Sequence, residues 1–242
     1  MLFEPLKVKT LTLHNRIVMP PMCTCLASIN GEVTKRLIDY YVERSKGGVG
    51  LIIIEATNID FPQGSDQYNK PTIDSDKYIA GLNELVEAIH LYGSKVAIQL
   101  HHAGRQTTPV YTEGKQPVSA SDITCKVTGI KPRSLTITEI KELIEKFSEG
   151  ARRAKEAGFD AVEIHGAHGY LISQFLSPYT NKREDEYGKN FEGRLKFPLE
   201  IIKDIRQKVG DDFPLIFRIN GDDYIEEGLR LKDTNRHLLP KE

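Results

Sequence analysis

One unit recurs along this chain and limits what it can fold into: a short apolar run, an amphipathic run closed by glycine, and then another apolar run. Residues 51–56 read Leu-Ile-Ile-Ile-Glu-Ala, apolar nearly throughout, as expected of a strand covered on both faces of a parallel sheet. Residues 76–92 carry Ile79, Leu82, Val86 and Ile89 at helical spacing and stop at Gly93, and residues 95–100 form the next strand. Upstream, residues 7–13 read as a hairpin. Residues 15–22 read as a first buried strand cut off by Pro20 and Pro21, and residues 34–46 as a helix with Leu37, Ile38 and Tyr41 on one side and Gly47-Gly48 as its stop. Downstream, the long Pro-, Thr- and Ser-bearing connection 103–135 is expected to be a functional lid or disordered. Thr138 is expected to cap a helix carrying Ile140, Leu143, Ile144 and Phe147, stopped by Gly158. A fourth strand opens at Ala161, residues 190–209 form a helix ended by Gly210, and residues 215–220 form a fifth strand.

Repeated strand–helix–strand crossovers of one hand build either a doubly wound sheet or a (β/α) barrel. A dinucleotide fold needs a glycine-rich turn after its first strand, where this chain has Pro20, Pro21 and Met22. The reading is therefore α/β, of (β/α)8 TIM-barrel type, with about five of the eight units, because no further strand is legible after Asp223. At 242 residues and 39% hydrophobic content the chain can close one core, so residues 1–242 are expected to form a single partial barrel domain. A net charge of −1 provides no basic field for nucleic acid. No apolar run reaches the roughly 18 residues of a membrane span, and the expectation is a cytoplasmic protein acting on small molecules. Cys23, Cys25 and Cys125 are too few and too irregular for a disulfide framework or a four-cysteine cluster.

Within this frame, residues 161–179 concentrate the chemistry. Val162 and Ile164 alternate with Glu163 and His165, so one face of the strand is aliphatic and the other ionisable. Gly166 and Gly169 then free the backbone, and His165, His168 and Tyr170 fall together at the strand's end. A barrel places function at the carboxyl ends of its strands. Gln99 and His101 on the third strand and Arg218 and Asn220 on the fifth share that end. His165 and His168, with Glu163 or His101, could alternatively ligate a metal in a barrel hydrolase.

Many motifs now line up in order. They are Leu2-Phe-Glu-Pro-Leu6, Asn15-Arg-Ile-Val-Met-Pro-Pro-Met22, Gly47-Gly-Val-Gly50, Glu55-Ala56 and Gln99-Leu-His-His-Ala-Gly-Arg105, followed by Glu163-Ile-His-Gly-Ala-His-Gly-Tyr-Leu-Ile172 and Phe175-Leu-Ser-Pro178. Asn181-Lys-Arg183, Asp185-Glu-Tyr-Gly188, Gly193-Arg194 and Arg218 complete the set. With them the chain resembles the old yellow enzyme family of flavin-dependent ene-reductases, particularly its 2-enoate and 2,4-dienoyl-thioester reductase branch. The resemblance runs over nearly the whole length.

The resemblance implies FMN across the barrel mouth and NAD(P)H as the electron donor for reducing an unsaturated carbonyl compound. Gln99 matches the amide on the flavin pyrimidine edge. Arg218 matches the cation beside N1 and O2, where charge gathers on reduction. Pro21, Met22, Cys23 and Ala56 match positions that line the ring system. His165 and His168 match the pair that grips the substrate oxygen, with His165 also against the cofactor, and Tyr170 matches the phenol that protonates carbon. The branch also implies an iron–sulfur cluster and a second flavin domain, neither encoded here. Family barrels continue through three more strands, so the reading expects a C-terminally truncated barrel that holds FMN weakly. Assembly through its open side, as a homo-oligomer or otherwise, and a non-catalytic fragment are both consistent with it.

Overall fold

The computed structural model describes residues 1–238. The chain enters through a hairpin of β1 (Leu6–Val8) and β2 (Leu11–Leu13). It then runs through β3 (Val18–Met19), α1 (Lys35–Lys46), β4 (Leu51–Asn58), α2 (Ile79–His90) and β5 (Lys95–His101). The long connection holds β6 (Val118–Ser119) and β7 (Arg133–Ser134), and α3 (Ile137–Glu156) and β8 (Ala161–Gly166) follow. The described chain closes with α4 (Leu171–Leu176), α5 (Phe191–Val209), β9 (Leu215–Ile219) and α6 (Leu231–Leu238). Five strands form one parallel sheet in the order β3-β4-β5-β8-β9, each added beside the last.

Strand alternation sorts side chains into an outer and an inner face. Outward, Ile52, Ile54, Val96, Ile98, Leu100, Val162 and Ile164 pack with the apolar stripes of α2, α3 and α5 in the main core. Inward, the lower ends are small and apolar: Leu51, Ile53, Ala97 and Ala161 join Leu11 and Leu13 of the hairpin in a second cluster. One pleat further up, the inner face turns polar with Glu55, Gln99 and Glu163. Above these come His101, His165 and Arg218, with Asn220 just past the end of β9. The hairpin thus plugs the bottom of the barrel, and polar groups collect at the top.

Several local expectations are refined. The first strand is only Val18–Met19, because the Asn15 side chain turns the chain first, accepting from Ile17 N (2.9 Å) and donating to Gly48 O (2.7 Å), and Pro20 follows without an N–H to give. Strand β4 runs on to Asn58, and its pairing with β5 shifts register between Ile54 and Thr57. Glu55 and Ala56 sit in that bulge, which re-aims side chains beside the site. The helix expected over 76–92 begins as a single 3₁₀ turn, Asp76–Tyr78.

The cap of α3 is Thr136, not Thr138. Thr136 Oγ1 accepts from Glu139 N (3.2 Å), while Glu139 Oε2 accepts from Thr136 N (2.8 Å), a reciprocal capping box that Arg133 reinforces by pairing with the Glu139 carboxylate. The connection 103–135 is ordered. Arg105 donates to Ile123 O (3.0 Å), Thr107 Oγ1 to Ser65 O (2.6 Å), and Arg183 Nη1 to both Ala120 O and Leu135 O (2.9 and 2.7 Å). These bonds satisfy backbone carbonyls that a loop would otherwise leave unpaired.

Thr136→Ala is expected to lower stability by about 1 kcal/mol. Thr138→Ala, at an exposed position inside the helix, is expected to change it by less than about 0.5 kcal/mol. Urea unfolding of the two variants checks the cap, and equal losses would place it elsewhere.

Candidate active site

The polar upper layer is joined by one carboxylate. Glu163, 1% exposed, accepts from Gln99 Nε2 (2.7 Å) on one neighbouring strand and from Arg218 Nε and Nη2 (2.8 and 3.0 Å) on the other. Because both partners are donors and Arg218 binds in a fork, the buried charge is compensated and the three side chains hold one orientation. The Gln99 amide oxygen and Arg218 Nη1 stay uncommitted among the described residues. Glu163 is thereby occupied as a brace.

A second carboxylate fixes the opposite wall. Glu55 accepts from Thr24 N (3.0 Å), Thr24 Oγ1 (2.6 Å) and Tyr41 OH (3.1 Å), tying the loop with Pro21, Met22 and Cys23 to the end of β4. Met22 remains 47% exposed and Cys23 is also exposed, with Ala56 buried beneath. Cys23 and Cys25 are both free thiols, and Cys25 Sγ instead lies 3.2 Å from Gln67 Oε1. The Cys23 thiol is pushed above its ordinary range, first by desolvation against the protein on its inner side.

Between these walls four rings meet. His165 stands edge-on to His168 (centroids 5.0 Å) and to Tyr170 (5.0 Å), and His101 packs against Tyr170 (4.4 Å) and His165 (5.5 Å). His165, His168 and Tyr170 are thus brought together as the sequence implies, and His101 joins them. His168 adopts a left-handed backbone, φ +59°, an uncommon conformation for a residue with a Cβ. Its N–H donates to Asn220 Oδ1 (2.8 Å), and Gly169, also left-handed, completes the turn. Below, Gln174 ties the site to the connection: it accepts from Arg105 N (3.1 Å) and Ser119 Oγ (3.0 Å) and donates to Gly169 O (2.7 Å) and Ala103 O (3.2 Å). A side chain on Gly104 would collide with the Gln174 amide. Among the described residues no group of three metal-ligating side chains could hold an ion.

Burial sets the protonation states. Desolvation, then neighbouring His101 and His168, lowers His165 to about 2, and desolvation lowers His101 to about 4. His168 is lowered by desolvation and then by Arg218. Tyr170 is raised by desolvation and next by the charge of Asp66, so it keeps its proton at neutral pH. The rings can therefore donate neutral N–H groups toward a substrate oxygen beside a phenol that holds a proton.

Fold and site together define a partial parallel (β/α) barrel whose carboxyl-end face gathers a braced amide and guanidinium beside three imidazoles and a phenol. The chain belongs to the NADH:flavin oxidoreductase / NADH oxidase family, whose model matches residues 1–240. It is 54% identical over 232 residues to a NADH oxidase of Thermoanaerobacter brockii, covering 96% of this chain and 36% of that one. Among solved structures, a 2-naphthoyl-CoA reductase in complex with 2-naphthoyl-CoA overlays with a TM-score of 0.91 at 31% identity, covering 96% of this chain and 37% of the other. Morphinone reductase overlays at 0.83 with 34% identity, covering 90% and 61%. The chain thus spans about a third of the NADH oxidase it matches. Asp66, Lys70, Gln174 and the bracing role of Glu163 escaped the sequence reading. Only Gln174, four residues after Tyr170 on the helix that follows, carried a spacing signal.

The lowered histidines make the fold acid-sensitive. The unfolded chain protonates both near pH 6.5, whereas the folded one resists down to about 4 at His101 and about 2 at His165. Protons therefore favour the unfolded state as pH falls below about 6.5, and stability drops by up to about 2.7 kcal/mol per pH unit if both sites contribute. Urea unfolding between pH 7 and pH 5 checks this. His101→Gln is expected to remove about half the slope, and an unchanged slope would exclude His101 as a contributor.

Proposed function

We propose that this chain is the flavin-binding barrel of an NAD(P)H-dependent oxidoreductase that reduces an activated carbon–carbon double bond, of the enone, 2-enoate or dienoyl-thioester class. The observation that carries the reading is the convergence, on one barrel face, of an uncommitted amide and guanidinium braced by Glu163 with two neutral imidazoles and a protonated phenol. Residues 1–242 act in this reading as one barrel unit, cytoplasmic, with its open side available for assembly.

The residues present fit FMN. Gln99 offers its free amide oxygen to a pyrimidine edge, Arg218 offers a cation at the same edge, and Pro21, Met22, Cys23 and Ala56 supply small and apolar surface against which a flat ring can lie. Such a flavin, when bound, supplies hydride chemistry to the alkene. The chain's own groups do the rest. His165 and His168 donate to the substrate's carbonyl or carboxyl oxygen and hold the charge that develops there, which is strongest from neutral, preoriented donors out of water. Tyr170 delivers a proton to the neighbouring carbon. Glu163 keeps Arg218 from swinging away, and Cys23 faces the ring system and tunes its potential.

In the described residues β3 and β9 each pair on one side only. The 242-residue chain alone is accordingly expected to hold FMN weakly, and to turn yellow and reduce alkenes once joined to the continuation of a family barrel. An absorbance spectrum tests this. A lone monomer with one tightly held FMN overturns the first half, and a joined protein without flavin overturns the function.

In the flavin-holding protein, His165→Ala/His168→Ala is expected to abolish the charge-transfer band of a bound phenol while the flavin stays. Phenol binding at wild-type strength would refute the oxygen grip. Cys23→Ala is expected to shift the flavin potential with little change in stability, and an unchanged potential would leave Cys23 a packing residue.

A further inference from the structure

Behind the ring cluster lies an ion pair that the proposed reaction has not used. Lys70 has a fully buried side chain, and its Nζ is 2.5 Å from Asp66 Oδ1, itself on a side chain only 8% exposed. Removing both charges from water is expensive, and an apolar pair of similar volume commonly serves stability as well or better. The pair's location suggests a role other than stability. Asp66 Oδ1 lies 3.7 Å from Nε2 of His101, whose ring is wholly buried, has no hydrogen-bond partner at either nitrogen among the described residues, and packs against Tyr170. On the other side, Lys70 lines a cavity of about 90 Å³ with Asn58, Ser65 and Gln67, reaching outward to Tyr68, Tyr111 and Glu113. The buried Asn58 Oδ1 and Thr72 Oγ1 have no partner among the described residues. A polar cavity of that size accommodates water with partners to spare.

We propose that Asp66 and Lys70 form a rear proton inlet that recharges Tyr170 when substrate covers the front of the site. The proton that Tyr170 gives to carbon leaves a phenolate. Lys70 passes its proton to the Asp66 carboxylate, Asp66 hands that proton on to the phenolate oxygen, and water in the cavity returns one to Lys70. One proton enters from solvent for each that reaches carbon, and both residues end as they began. Asp66 faces His101 from β5, and the charges of the pair also reach His165 and Tyr170 at the β8 end and Cys23 on the opposite wall, with His168, Arg218 and Glu163 beyond His165. His101, 3.7 Å from Asp66, packs against the Tyr170 ring, and burial followed by the Asp66 anion raises that phenol. The inference rests on Tyr170 as the proton donor.

Two measurements test it. In the full chain without flavin, the ultraviolet phenolate signal lost in Tyr170→Phe isolates the titration of this one phenol. Asp66→Asn is expected to move it to lower pH, and an unmoved titration overturns the proposal. In flavin-holding protein, Asp66→Asn/Lys70→Met removes both charges together, so no lone buried charge threatens the fold. It is expected to leave flavin reduction by NAD(P)H within about twofold. Alkene reduction should slow at least about tenfold above neutral pH, with a larger solvent deuterium isotope effect. In Lys70→Ala, a small protonated amine is expected to restore the rate in proportion to its concentration. A pH profile and isotope effect like wild type, while Tyr170→Phe remains slow, would overturn the inlet. If Tyr170→Phe is itself as fast as wild type, the donor assignment fails instead.

Discussion

The site depends on a single buried carboxylate held between two donors from neighbouring strands. Glu163 cannot be left alone at 1% exposure, so Gln99 and Arg218 must both point at it. Once they do, β5, β8 and β9 are locked in one register at their upper ends. A slip of one residue would turn Glu163 out among the helices and bring Ile164 into the barrel. The constraint that satisfies the charge is therefore the same one that sets an amide and a guanidinium side by side at the mouth. Fold specificity and the aim of these two side chains are one requirement here.

The lower half of the barrel explains why the upper half can be so polar. Leu51, Ile53, Ala97 and Ala161 with the hairpin's Leu11 and Leu13 close the bottom as a dry plug, and the outer face packs the helices. That apolar burial stabilises the molecule at roughly 25 cal/mol per Å², which offsets the desolvation of the carboxylates and imidazoles above. The connection 103–135 adds to this: Arg105, Thr107 and Gln174 knit it to the ring cluster, and it behaves as a wall of the site.

Much of this was legible because strands with both faces covered announce themselves. The alternation of Val162 and Ile164 with Glu163 and His165 showed which groups share the barrel interior, and Gln99 and Arg218 followed from the same period of two. What escaped lies where no period operates. Asp66 and Lys70 sit in the irregular stretch between β4 and α2, where four residues' separation carries no meaning outside a helix. The cap of α3 was misplaced by two positions although Thr136-Ile-Thr-Glu139 spells out the capping box. The ordering of the long connection depends on Arg183, far along the chain, and contacts of that span leave no local trace.

The left-handed turn at His168 has a further consequence. Its backbone is held in an unfavourable basin by Asn220, at the end of a different strand, so the imidazole is cocked like a latch whose catch belongs to the neighbouring strand. Losing that one bond would free the turn without touching the apolar core, so the aim of the imidazole and the stability of the fold answer to different residues.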